Sequence, residues 1–398
     1  MRLPFSRRAG DVCPQLSLSL FPICLPSAFA LGSLLAQDLK EWEAIVIDDG
    51  SPQESWGVVE AYSWLDPRIR TIRATRAGVC AARNHGIAAA TGEFLLFLDA
   101  DDWLEDGALS TLRRACERSH AAHGRFRYTL PDGTPTSLIG GVGIAEPLFT
   151  ALAASNVLSV PACVMLRREV LDRTGLFDPT LVHCGDWDLW GRLARIESAV
   201  QSVDAIVAGY RMSPGSLSRN PRTLLRDAIT VLTRLHAGDR RVKDPASSFA
   251  DGAEASQLSQ KVGHFTVYAA GLALASCDWQ KITAVLDPLM PGVSLAPQRV
   301  GEFLFYALCF SHCCDPQSIE AWWPALKHEL ARLIEEIGRR VESEALPSRI
   351  WEQLSNVSEG RIIPAPAIPP ETADLPPPAD GWEGHAFDLL QSLAVRGN

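Results

Sequence analysis

An excess of positive charge is the first thing missing from this 398-residue chain: 37 Lys and Arg stand against 47 Asp and Glu, a net charge of -10. That balance argues against a general nucleic-acid binder, which shows a basic patch or domain. Short cysteine spacings are missing as well. The ten cysteines are scattered apart from adjacent Cys313 and Cys314, so neither a disulfide framework nor a zinc pattern is present. Most lie in apolar stretches, where a free thiol behaves as a small hydrophobe, and a reduced, cytoplasmic setting is expected. Past the amino terminus, no run approaches the ~20 apolar residues of a membrane span. No clean internal repeat appears either.

What is present is a strand that ends in acid. Phe94-Leu95-Leu96-Phe97-Leu98 runs into Asp99, Asp101 and Asp102. A continuous apolar run bounded by turn signals reads as a buried strand. Its end delivers three carboxylates to the carboxyl edge of a sheet, where open α/β folds bind ligands. Crowded acids repel, and they stay ionised most easily around a cation such as Mg2+ or Mn2+. The plainer alternative is a polar turn with Asp101 or Asp102 capping the next helix. Asp48-Asp49-Gly50-Ser51 repeats the pattern after an earlier strand, with an ordinary β-turn as its own alternative.

Strands are expected over 16–21, 43–47, 69–74, 94–98, 162–166 and 205–210. Helices are expected over 26–37, 53–63, 78–90, 106–120, 168–174 and 186–196. The Gly- and Thr-rich stretch 123–143 reads as loop or edge hairpin. Alternation of this kind argues an α/β class with a mostly parallel sheet flanked by helices. Residues 16–35 also resemble a signal peptide behind Arg2, Arg7 and Arg8. The interruptions at Pro22 and Pro26 and the alternation of Ser17 and Ser19 with leucines favour a strand and helix instead. Beyond residue 220 only helices are expected, over 222–236, 255–274, 279–289, 300–314 and 318–341. The division is an extension over 1–15, an α/β domain over 16–220, a helical domain over 221–363, and a proline-rich linker and tail over 364–398 with a short helix near 385–395.

The strings Trp42 to Ser51, Gly78-Val79-Cys80-Ala81-Ala82-Arg83-Asn84-His85-Gly86, and Thr91-Gly92-Glu93 with Leu98 to Asp102 closely resemble family 2 glycosyltransferases in wording, order and spacing. The resemblance covers about residues 16–218. It implies a GT-A, Rossmann-like fold and an inverting transfer of sugar from a nucleotide diphosphate, most simply a UDP-sugar. By that resemblance Asp49 contacts the nucleobase, Arg83 lies near the base or phosphates, and Asn84 braces its loop. Asp99 holds the ribose, and Asp101 binds the Mn2+ or Mg2+ that bridges the diphosphate. Pro22 is placed with the nucleotide-sugar contacts too.

On the acceptor side, Gly175-Leu176-Phe177-Asp178 and Gly185-Asp186-Trp187-Asp188-Leu189-Trp190 resemble the family segment that carries the base. Asp186 is the catalytic base, with a helix N-cap as its plainer role and Asp188 as the fallback. Trp187 and Trp190 floor the acceptor pocket or fill core, the latter favoured for Trp190. His183 is a candidate acceptor contact, and His85 is taken as structural or solvent-facing. Three departures stand out: Ile23-Cys24-Leu25 replaces polar residues after Pro22, Gly185 replaces the usual Glu, and Ser213 stands where a His is common. They motivate the rival reading, a nucleotide-sugar-binding module without turnover in a polysaccharide assembly system. A nucleotidyltransferase is a weaker rival, because no Gly-rich phosphate loop follows the first strand. The expected partners are a nucleotide-sugar donor and a glycan or other hydroxyl acceptor, without nucleic acid. The helical domain is a possible peripheral membrane or protein contact.

Overall fold

The computed structural model describes residues 16–21, 27–51, 53–141, 147–196, 200–213 and 220–358. Expectations on Pro22, Ile23, the segment 214–218 and everything past 358 lie outside the described residues. Strand and helix alternate from the start: β1 (Leu16–Phe21), α1 (Ser27–Ala36), β2 (Trp42–Asp48), α2 (Gln53–Leu65), β3 (Ile69–Arg73), α3 (Val79–Ala89) and β4 (Phe94–Asp99). The strands lie parallel in the order β3-β2-β1-β4. β2 is buried along its whole length, and β4 as far as Leu98. Strands covered on both faces need continuous apolar sequence rather than alternation. Parallel register carries the ends of β1, β2 and β4 to one edge, with Phe21 opposite Asp99. Both acidic strand ends therefore open on the same cleft.

Beyond β4 the sheet is mixed. The next elements are β5 (Trp103–Leu104), α4 (Ala108–Cys116), β6 (Ala121–Thr129), β7 (Pro135–Gly140), α5 (Leu148–Ala154), β8 (Val164–Arg167), α6 (Leu171–Thr174), α7 (Gly185–Ala194) and β9 (Val200–Arg211). β8 runs antiparallel to β4 and β6, β9 runs parallel to β6, and β5 pairs antiparallel with β9. The hairpin expected in 123–143 is real, and only one of its strands is at a margin: among the described strands β7 pairs with β6 alone. β6 lies between β8 and β9, and β7 adds to its second half. Gly124 and Gly140 are packing glycines, while Gly133, at a φ of 92°, turns the hairpin. A Cβ on Gly124 would come within 2.6 Å of Val207, and one on Gly140 would enter the Phe126 ring. Helix α5 was not legible, and α4 begins at Ala108, after Gly107 in the left-handed region.

The helices α8 (Pro221–Leu235), α9 (Leu258–Leu274), α10 (Trp279–Val285), α11 (Pro297–His312) and α12 (Ile319–Arg340) fall where expected, and α13 (Leu346–Ser358) adds one more. Asn220 caps α8 by accepting from the Thr223 N–H at 3.2 Å, with Pro221 at the first helical position. Leu304, Leu308, Leu330, Leu333 and Ile350 centre a second core among these helices. Along α8, Ala228, Val231, Leu232 and Leu235 instead join the core of the sheet. Trp187 against Phe265, Tyr210 stacked on Phe310, and the Asp315 carboxylate on Ser137 bind the two regions together. Among the described residues no helix is long and apolar enough to cross a membrane.

Helix α7 is anchored by charge. Asp188, with a side chain 1% exposed, pairs with Arg192 at 3.0 Å, Arg234 at 2.9 Å and Arg241 at 2.9 Å. Burial alone raises a carboxyl group, but the three guanidinium groups reverse the balance and hold Asp188 below its ordinary range. Removing one member of a buried pair strands the others. Asp188→Ala is therefore expected to cost about 3 kcal/mol, read as a lower urea midpoint for loss of the α/β half.

Candidate active site at the carboxyl edge of the sheet

The first acidic strand end is built as a hinge of backbone contacts. Asp48 turns back to accept the N–H groups of Gly50 at 3.1 Å and Ser51 at 2.7 Å, an Asx turn. Asp49 reaches across to the loop entering α3 and accepts from Ala77 at 2.7 Å and Gly78 at 2.9 Å. The turn alternative thus describes Asp48, while Asp49 ties β2 to the start of α3 at the mouth of the cleft.

Arg83 is the charge at the centre. Its residue is 5% exposed, and its Nη2 donates to Asp99 Oδ1 at 2.8 Å. The guanidinium lies 5.3 Å over the ring of Phe177. Burial disfavours the cation, but Asp99 and Asp186 outweigh it and hold Arg83 above its ordinary value. The buried Nε finds no partner among the described residues. Beside it, Asn84 braces the loop that carries Phe177. Its Nδ2 donates to the Phe177 carbonyl at 2.9 Å, and its Oδ1 accepts the Phe177 N–H at 3.0 Å.

The acids after β4 have separate surroundings. Asp99 carries the Arg83 bond. Burial, then the charge of Asp99, pushes Asp101 up to about 6. Asp102 is buried, accepts the Arg211 N–H at 3.1 Å, and is raised well above the ordinary carboxylate range by burial and by both neighbouring acids. It does not cap a helix. Trp103 and Leu104 are drawn into β5 against β9, and the cap of α4 falls to Gly107. Arg211 touches this group through backbone, its Nε donating to the Asp101 carbonyl at 3.2 Å. Hard carboxylate oxygens crowded together, with Arg211 offsetting only part of their rise, fit a divalent ion, which relieves their repulsion. Among the described residues no three His, Cys, Asp or Glu side chains enclose such an ion by themselves. Magnesium-type sites accordingly take one or two carboxylates and complete their shell with water and substrate oxygens.

Across the cleft, α7 begins at Gly185 behind Cys184, whose φ is 58°. Cys184 holds the cap position, so Asp186 lies inside the first turn and is not the N-cap. It is 9% exposed and accepts from Asn156 Nδ2 at 3.3 Å. Burial raises its carboxyl group, and Arg83 opposes the rise. Asp188, the fallback base, is saturated by arginine and faces away. Trp187 and Trp190 are both fully buried, with Trp187 Nε1 donating to the Leu152 carbonyl at 2.9 Å, so both are core and neither floors a pocket. His183 is buried, which lowers its imidazole, and its backbone is held by Asp227 at 2.8 Å. His85 faces solvent. Sequence reasoning did not single out Asn156 or the side-chain role of Arg211. Neither has a local signal, since each meets its partner only through the fold.

A carboxyl group raised in the folded state binds its proton more tightly there than in the unfolded chain. Its charge costs stability above the folded value, and the cost vanishes below the unfolded one. In chelator, Asp101→Asn is expected to raise the melting temperature at pH 8 by about 2–4 °C. The advantage should close as pH falls from about 6 towards ~4, as read by thermal melts across pH.

Residues 28–175 match the family model described as Glycosyl transferase family 2. The uncharacterized glycosyltransferase EpsJ of Bacillus subtilis is 28% identical over 202 residues, 48% of this chain and 58% of that one. Glycosyltransferase GlyA of Streptococcus pneumoniae is 38% identical over 203 residues, 48% of this chain and 29% of its own. The putative teichuronic acid biosynthesis glycosyltransferase TuaG of Bacillus subtilis is 29% identical over 192 residues, 47% of this chain and 74% of its own. The chain thus spans 58% of EpsJ and much less of GlyA. Among solved structures, S. aureus TarS 1–349 in complex with UDP overlays with a TM-score of 0.46 at 16% identity, over 87% of this chain and 90% of that one, too loosely to assign residues. Residues 28–175, which hold β2 to β4 and the acids at their carboxyl edge, are thus similar to glycosyltransferase family 2.

Proposed function

We propose that the chain transfers a sugar, with inversion, from a nucleoside-diphosphate donor to a hydroxyl of a saccharide or similar acceptor. The observation that carries this reading is Arg83. One buried guanidinium is bonded to Asp99 at 2.8 Å and lies within the field of Asp186. Donor-side and acceptor-side carboxylates therefore address one cleft. Asp99 offers its free oxygen to a ribose hydroxyl, and Asp49 stands at the end of β2 towards the base. Asp101 would hold Mn2+ or Mg2+. When bound, such an ion neutralises charge developing on the leaving diphosphate.

Asp186 serves as general base. An inverting transfer needs one base on the face opposite the leaving group. Burial makes the Asp186 carboxylate a stronger base, and Arg83 opposes part of that rise. A UDP-sugar is the simplest donor. A second reading, binding without turnover, draws on Gly185 and Ser213, where the family usually has Glu and often His.

Two measurements test the assignment. Asp101→Ala is expected to abolish the thermal shift that UDP- or GDP-sugars give with Mn2+ or Mg2+. An identical shift with and without chelator would remove Asp101 from the metal site. Asp186→Asn should keep that shift and lose transfer by roughly a hundredfold or more, scored by release of nucleoside diphosphate with acceptors from cell extract. Donor shifts without release from the unmodified protein favour the binding reading.

A further inference from the structure

One face of α3 carries Cys80, Arg83 and Asn84, spaced i, i+3 and i+4. All three meet the acceptor side of the cleft. Asn84 exchanges two hydrogen bonds with the backbone of Phe177, 93 residues along the chain. The Phe177 ring fills the space between, under Arg83 and edge-on to Phe97 of β4 at 4.9 Å. Cys80 is 1% exposed and lies directly against Gly185. A Cβ on Gly185 would overlap the Cys80 Sγ, yet would stand 3.9 Å from the Cys80 Cβ and 3.8 Å from Phe177 Cδ1. Only the sulfur excludes a side chain at the residue before Asp186.

We propose that this face of α3 positions the base: Cys80 against Gly185 and Asn84 on Phe177 set the first turn of α7, and with it Asp186, relative to the acids that follow β4. The inference rests on the reading of Asp186 as the base. It gives Gly185 a physical cause, since the thiol occupies the room a larger residue would need. Cys80 and Asn84 are positioning residues that touch no substrate. Interiors pack at crystal density, so a thiol in contact with backbone transmits a shift rather than absorbing it. A displacement of about 1 Å at a reacting group costs on the order of a hundredfold in rate.

The test is a cycle of four proteins: the unmodified chain, Gly185→Ala, Cys80→Ala and the double variant. Each is melted and assayed for nucleoside diphosphate release from UDP-glucose, UDP-N-acetylglucosamine and GDP-mannose with Mn2+. Gly185→Ala is expected to lower kcat roughly tenfold or more while donor KM stays within about twofold. The double variant should regain most of the loss, because the two Cβ atoms then meet at 3.9 Å. Helix propensity alone predicts the opposite sign for melting, since alanine is the better helix former. A Gly185→Ala protein with unchanged kcat, or a double variant as slow as the single, overturns the proposal. If no donor is turned over, the melts decide, and additive changes in melting temperature overturn it. Should Gly185→Ala fail to fold, Asn84→Ala replaces it, with the same fall in kcat expected at constant KM and an unchanged kcat overturning the idea. Asp186→Asn separates the two readings: if it still transfers, the base assignment falls. If it is inactive while Gly185→Ala is intact, only the positioning role falls.

Discussion

A guanidinium shut away from water has to be matched by nearby negative charge, and much of the cleft follows from how Arg83 is matched. Asp99 supplies the direct bond, and Asp186 contributes from the opposite wall. Asp101 and Asp102 each meet Arg211 through one backbone atom, and its charge offsets only part of what burial and crowding raise. Charge is therefore distributed unevenly on purpose of geometry: one acid is neutralised, one is locked in the interior, and one is left under strain at the mouth.

Two carboxylates two residues apart on α7 show how surroundings assign roles. Asp188 is surrounded by Arg192, Arg234 and Arg241 and holds the helix against the rest of the molecule. Asp186 receives a single side-chain bond, from Asn156, and keeps lone pairs to spare. Residues i and i+2 on a helix do not face each other, so sequence proximity gave these acids no common surroundings. The three-arginine clasp holds Asp186 in place by fixing the turn that follows it.

Much of this was legible in the sequence because parallel strands buried on both faces leave continuous apolar runs. β2, β4 and the acids after them could be read directly, as could five of the later helices. Where reading failed, tertiary contacts decided. Gly124 and Gly140 resemble loop glycines until Val207 and Phe126 are seen pressed against them. Asp102 resembles a helix cap until Trp103 and Leu104 are pulled into the sheet by β9. Asn156 carries no local mark, and its importance arises from a partner 30 residues away. Short-range pattern records which face is buried, and long-range pairing determines what that face meets.

The sheet's margins have a consequence of their own. An open sheet exposes unpaired backbone groups at its edges and invites other chains to extend it. Here β3, at one end of the strand order, presents Arg70 and Arg73 with side chains about half exposed, at 46% and 52%. At the other end, β5 is only two residues long. One margin is guarded by charge and the other by brevity. The same protein that gathers acids in its cleft thus sets basic residues along the β3 rim, where they discourage edge-to-edge assembly.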